Sequence, residues 1–238
     1  MLSALLNQYG QETICKQLAP FLTDQRKETI AHMLTSRLDS LHIAFENPYE
    51  IHNIMAGIRS AEALGIFNIH LVNANRTKKR PTRSVTQGTE RWVHLHSHKD
   101  LSTLPHCLAA ATPSGTLSLS DLPVDRPLTL LFGNEHEGLS TQALSACTHT
   151  FHIPMYGMCQ SFNLSVSVAL TLYDLQHRRR SHLSTPGDLT PTQITTETAW
   201  AYLRTLGHRQ ASHILKSVAR GEKGEGMDKD FIGKAIDH

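Results

Sequence analysis

Cysteine is scarce in this sequence: there are four, at positions 15, 107, 147 and 159, and no two form a CxxC pair. That spacing excludes a paired-CxxC zinc site and argues against a disulfide framework. No apolar run approaches the ~18 residues that a membrane span needs. The first residues, MLSALLNQYGQETICKQ, lack the basic, apolar and small-residue segments of a signal peptide. The expectation is therefore a cytoplasmic protein. Charged residues make up only 18% of the chain and neither sign dominates, with a net charge of +2. The first figure speaks against a largely disordered chain; the second gives no overall electrostatic case for a nucleic-acid partner. With 39% hydrophobic residues over 238 positions, the chain is long enough to bury a sizeable core.

What is present is local. Arg76, Lys78, Lys79, Arg80 and Arg83 place five cations within eight residues, and Arg178-Arg179-Arg180 form a second block. Arginines in that second block sit at the end of a predicted helix, where cations complement the dipole. Sixteen histidines raise the question of a metal. His94, His96 and His98 alternate, so on a strand they share a face. No acidic or cysteine partner stands nearby, and Val93 and Leu95 supply the other, buried face. An exposed strand with no metal is expected.

Periodicity predicts a helix from Thr23-Asp24 to Leu38, a strand over 41–45, a helix over 51–64 ending at Gly65, and a strand over 67–72. Further strands are expected at 92–96, 116–119, 128–132 and 151–153, and helices at 101–111, 141–147 and 163–180. Strands alternating with helices specify an α/β fold with a parallel sheet. After His182 a Ser-Thr-Pro-Gly linker leads to two amphipathic, basic helices near 192–206 and 209–220 and a fraying tail. The organisation read from this is a helical extension over 1–39, a core domain over 40–181 and a C-terminal helical extension over 182–238.

Three clusters carry the chemistry. His52-Asn53 precedes Arg59 on the second predicted helix; spacing alone also suits an asparagine cap and a solvated arginine. Gly133-Asn-Glu135-His-Glu137-Gly138 follows a buried strand, at the edge where open parallel sheets bind ligands. It matches neither a P-loop nor a dinucleotide loop, and a plain strand-to-helix turn also explains it. Ile153-Pro-Met-Tyr-Gly157 leads to Ser161, Phe162 and Asn163 at the start of a long helix, which Ser161 is positioned to cap.

Taken in this order, HNxxxxxR, LxGxExxGLS and IPMxGxxxSxNxSVxxA resemble the three signature motifs of the SpoU-type (SPOUT) RNA 2′-O-methyltransferases. The resemblance spans about residues 40–180 and is nearest to the branch that methylates a guanosine ribose in the tRNA D-loop. It departs from the usual pattern at Phe162 and Leu164, where leucine and valine are common; both changes are apolar. The resemblance implies a parallel α/β sheet with a deep C-terminal trefoil knot, an exception to the rule that chains do not knot. It implies S-adenosylmethionine as cofactor, held around Gly133, Ile153 and Phe162 with Leu117 nearby. It also implies a catalytic group of Arg59, Asn53, Glu135, Ser161 and Asn163, and a homodimer. Lys78, Lys79, Arg80 and Arg83 are the candidates for RNA-backbone contact. Alternative readings are a ribosomal-RNA 2′-O-methyltransferase and a non-catalytic RNA-binding protein on this fold.

Overall fold

The computed structural model describes residues 2–74 and 88–220. The basic block at Arg76–Arg83 lies outside the described residues. Two compact units are present: one from Ser36–Asp188, the other from Met1–Thr35 together with Leu189–His238.

In the first unit, β1 (Leu41–Glu46), β2 (Asn68–Val72), β3 (His94–His98), β4 (Cys107–Ala111), β5 (Leu117–Ser118), β6 (Leu128–Phe132) and β7 (His149–His152) form one sheet. Its order is β3-β2-β1-β6-β4-β7-β5, and every pairing is parallel. Helices α4 (Ile51–Ala63), α5 (Thr141–Ala146) and α6 (Leu164–Leu183) accompany it. Alternation in β1 turns Leu41, Ile43 and Phe45 to one face and His42, Ala44 and Glu46 to the other. Phe45 meets α4 at Gly57, where an added Cβ would stand 3.3 Å from its ring and 3.5 Å from Val168 of α6. The helical penalty of a mid-helix glycine is thus offset by close packing of strand and two helices.

Two expectations fail here for identifiable reasons. The helix expected at 101–111 is a short 3-10 turn over Leu101–Thr103, followed by strand β4. Pro105 interrupts the segment, and Ala109 and Ala110 are wholly buried between β6 and β7, so sheet packing overrides the helical preference of alanine. On β3, Val93 is buried as expected just before the strand, but Leu95 is 45% exposed. The face opposite Leu95 carries the histidines, of which His42 and His70 are buried.

His42 Nδ1 lies 2.9 Å from His70 Nε2, His70 Nδ1 lies 2.8 Å from His98 Nε2, and His98 Nδ1 reaches Thr103 Oγ1 at 2.6 Å. Each ring can donate from one nitrogen and accept at the other, linking β1, β2 and β3 through side chains. Burial, with His42, His96, His98 and His106 around it, pushes His70 down to about 3, and His96 and His106 are lowered for the same first reason. Below pH ~6.5 the unfolded chain takes up protons that folded His70 refuses, so stability falls as pH drops from ~6.5 toward 3. Urea unfolding at pH 7.5, 6 and 5 should show a loss of up to about 1.4 kcal/mol per pH unit from His70. A flat profile between pH 7 and 5 would contradict it. Among the described residues no group of three or more His, Cys, Asp or Glu is arranged to hold a metal ion.

The arginines of α6 do more than complement a dipole. Arg178 donates to the carbonyls of Leu119 (2.7 Å) and Leu122 (2.8 Å), and Arg179 to Val124 O (2.7 Å) and Ser40 Oγ (2.9 Å). Arg180 donates to Ser36 O (2.8 Å), Leu64 O (2.9 Å) and Pro186 O. Three cations thereby satisfy carbonyls of segments distant in sequence, and their donors are spent inside the fold.

The second unit contains α1 (Leu2–Tyr9), α2 (Gln11–Leu18), α3 (Asp24–Thr35) and α7 (Pro191–Ala219). Thr190 and Gln193 form a capping box at the start of α7, with Pro191 in the first turn. Gly207, at φ 77°, breaks α7 near where two helices were expected. Among the described residues no helix is long and apolar enough to cross a membrane.

Candidate functional site

The carboxyl ends of β4, β6 and β7 converge on one cavity of about 400 Å³, a size suited to a small-molecule ligand. Its wall is apolar at Phe132, Phe151, Ile153, Met155 and Leu164, and polar at Asn134, Glu135, Ser161, Asn163 and Ser167.

Loop 133–140 is shaped by its own polar groups. Asn134 Oδ1 accepts from the backbone N–H of His136 (2.9 Å) and Glu137 (2.7 Å), and Gly138, at φ 68°, donates to Asn134 O. An added Cβ at Gly133 would stand 2.1 Å from the Gly138 carbonyl carbon, so no side chain fits there. Ser140 caps α5, and buried Glu46 at the end of β1 accepts from its N–H (2.8 Å) and Oγ (2.6 Å). Gly133→Ala should therefore displace the loop and cost about 1–3 kcal/mol of stability, as overpacking does. Urea unfolding checks this; an unchanged unfolding free energy would mean that the loop yields freely.

The three clusters meet through side chains. Asn53 Nδ2 donates to Glu135 Oε1 at 2.7 Å, and Asn163 Nδ2 donates to Asn53 Oδ1 at 3.1 Å. Asn53 is not the helix cap: that position is Glu50, whose side chain makes no capping bond. Asn163, rather than Ser161, caps α6, its Oδ1 accepting from Ser165 N at 2.9 Å. The cap fixes the Asn163 rotamer so that its amide faces Asn53. Glu135 Oε2 is buried and has no hydrogen-bond partner among the described residues. A carboxylate oxygen left so is costly unless a ligand donor completes it.

Of the expected site residues, Gly133, Glu135, Ile153, Ser161, Phe162 and Asn163 line the cavity, and Asn53 joins it through Glu135 and Asn163. Arg59 does not line it; it lies six residues along α4 from Asn53, exposed and without a side-chain partner among the described residues. Leu117 is on β5, paired with Phe151, and is not among the lining residues. Ala111, Thr112 and Pro113 line it instead. Sequence reasoning missed these because β4 read as a helix; the Thr-Pro step after its alanines was the available signal for a chain end at the sheet edge.

The sequence and the fold both match known proteins. The model of the SpoU rRNA Methylase family matches residues 40–173. The tRNA (guanosine(18)-2′-O)-methyltransferase of Borreliella burgdorferi is 31% identical over 171 residues, covering 68% of this chain and 78% of that one. The A. aeolicus TrmH/SpoU tRNA modifying enzyme superposes with a TM-score of 0.66 at 26% identity, over 75% of this chain and 96% of that one. The SpoU methyltransferase AviRb from Streptomyces viridochromogenes, in complex with the cofactor AdoMet, superposes with a TM-score of 0.53 at 26% identity, over 61% and 62%. More than half of the chain matches the family model, its parallel sheet superposes on these enzymes, and its three motif segments close on one cavity: this protein belongs to the SpoU methylase family.

Proposed function

We propose that this protein methylates a ribose 2′-hydroxyl in RNA with S-adenosylmethionine, and that its substrate is a guanosine of the tRNA D-loop. The observation that carries the reading is the Asn163–Asn53–Glu135 hydrogen-bonded chain at a ligand-sized cavity, with one buried Glu135 oxygen awaiting a donor. The cofactor fits: apolar walls suit its adenine, polar groups suit its ribose and amino-acid ends, and Gly133 lets a ligand approach the backbone. Gly133, Ile153 and Phe162 hold it, with Leu117 behind β7. When bound, it supplies an electrophilic methyl on a sulfonium.

The protein's residues handle the hydroxyl. Asn53 and Asn163 fix Glu135, and Ser161 adds a hydroxyl at the cavity wall. Arg59 is permanently protonated and is no base. It holds an RNA phosphate bidentately, and that phosphate takes the 2′-hydroxyl proton. Lys78, Lys79, Arg80 and Arg83 neutralise backbone phosphates and make binding salt-dependent.

The finer architecture belongs to the same reading: a trefoil knot forms the cofactor site, the terminal segments 1–39 and 182–238 flank a 40–181 catalytic domain, and the protein works in the cytoplasm as a homodimer. Val166, Leu170 and Tyr173, between 40% and 70% exposed and spaced along one side of α6, support the last point. The test is transfer of labelled methyl to tRNA transcripts. One transcript carries 2′-deoxyguanosine at the target and should accept none. Equal labelling of both would place the methyl on a base and end the proposal.

A further inference from the structure

Two aromatic rings stand in the open next to the Asn53–Glu135 pair, with no part in the chemistry above. Tyr49, 61% exposed, lies in the turn between β1 and α4, and exposed His136 lies in the loop after β6. Their ring centroids are 5.1 Å apart at 81°, an edge-to-face contact. Each flanks a partner in the hydrogen-bonded chain: Glu50, next to Tyr49, accepts from Asn53, and His136 follows Glu135.

Both rings are set on anchored backbone. Asn47 N donates to Val72 O, and Asn73 Nδ2 donates to Asn47 Oδ1 at 2.5 Å. Buried Pro48 then leads directly into Tyr49. On the other side, Asn134 holds the His136 and Glu137 amides. Two exposed rings on braced turns lose little freedom when a flat ligand stacks on them. Among the described residues Tyr49 stays 61% exposed, although leaving an aromatic so open forgoes burial.

We propose that Tyr49, propped by His136, is a stacking platform for an unpaired nucleobase of the RNA substrate, beside the nucleotide's ribose at Asn53 and Glu135. The proposal rests on the methyltransferase reading. Unpaired bases are the part of RNA that aromatic side chains recognise, because every base has a π-face and stacking needs no particular sequence. The platform would grip the substrate and leave guanine identity to other contacts.

The test uses the full chain and a tRNA transcript with 2-aminopurine at an unpaired D-loop purine, whose fluorescence is quenched on stacking. Tyr49→Ala should weaken RNA binding about tenfold or more and release the quenching, with S-adenosylmethionine affinity unchanged. Tyr49→Phe should retain both, and His136→Ala should cost a few-fold. Wild-type affinity and quenching in Tyr49→Ala would overturn the platform. So would equal loss in Tyr49→Phe, which would assign the effect to the hydroxyl. If the wild-type protein quenches the probe but methylates no RNA, the platform stands and the methyltransferase reading falls. If it methylates RNA and Tyr49→Ala does so equally well, only the platform falls.

Discussion

Arg59→Lys should lower kcat by about 10²–10³, the usual range for losing one transition-state donor, while S-adenosylmethionine binds nearly as before. Arg59 does not line the cavity and holds no other side chain among the described residues, so its replacement leaves the pocket walls and the Asn163–Asn53–Glu135 chain in place. What lysine cannot reproduce is the planar fork that meets two phosphate oxygens at once. An arginine left exposed with no side-chain partner among the described residues is free to take one from the substrate. Single-turnover methyl transfer and calorimetry separate the two effects. Loss of cofactor affinity in the variant would show that Arg59 serves the cofactor pocket instead. An unchanged kcat would remove it from the reaction. A second route remains chemically open, in which Arg59 only acidifies the hydroxyl and Glu135 or water removes the proton. Glu135→Gln discriminates: it should leave phosphate-assisted transfer largely intact and abolish transfer if the carboxylate is the base.

Arg179→Ala should destabilise the protein by about 3 kcal/mol or more, read as a lower urea midpoint at unchanged slope. Arg179 is 5% exposed and donates to Ser40 Oγ and Val124 O, joining the end of α6 to the start of β1 and the turn before β6. Each hydrogen bond from a charged donor contributes about 1.5–3 kcal/mol, and truncation leaves the Val124 carbonyl without this donor. Arg179→Lys should recover only part, since one ammonium cannot span both acceptors from the same stem. These contacts are at the far end of α6 from Asn163, so the folded fraction of either variant should bind cofactor normally. A loss below 1 kcal/mol would mean that water replaces the guanidinium without cost.

Much of the site was legible because its residues sit in short contiguous segments. Gly133 and Glu135 share one loop, and Ser161, Phe162 and Asn163 are consecutive, so a strand followed by a glycine loop already puts them at the sheet's carboxyl edge. Partners within those segments were not legible. That Asn53 would bond Glu135, 82 positions away, and Asn163, 110 away, depends on where β1 lies beside β6 and where α6 returns. Ser161 and Asn163 are equally good caps by type, and only the approach of α6 to α4 selects Asn163.

The histidines and arginines teach the same distinction. Alternation correctly put His94, His96 and His98 on one face of a strand, since side-chain direction along a strand is local. That His98 would hydrogen-bond His70, and His70 His42, is a matter of register between three parallel strands. The arginine triplet read as cations complementing a helix dipole, whereas its carbonyl acceptors at Ser36, Leu64, Leu119, Leu122 and Val124 arrive only with the folded chain. The amino-acid sequence by itself determined the α/β class, most strand positions and the residue types of the site, all of which follow from periodicity and backbone preference over a few residues. Tertiary structure decided that the alanines of 107–111 are a buried strand, which residues pair across the cavity and which charges are spent internally, because each depends on contacts between segments whose separation no local pattern encodes.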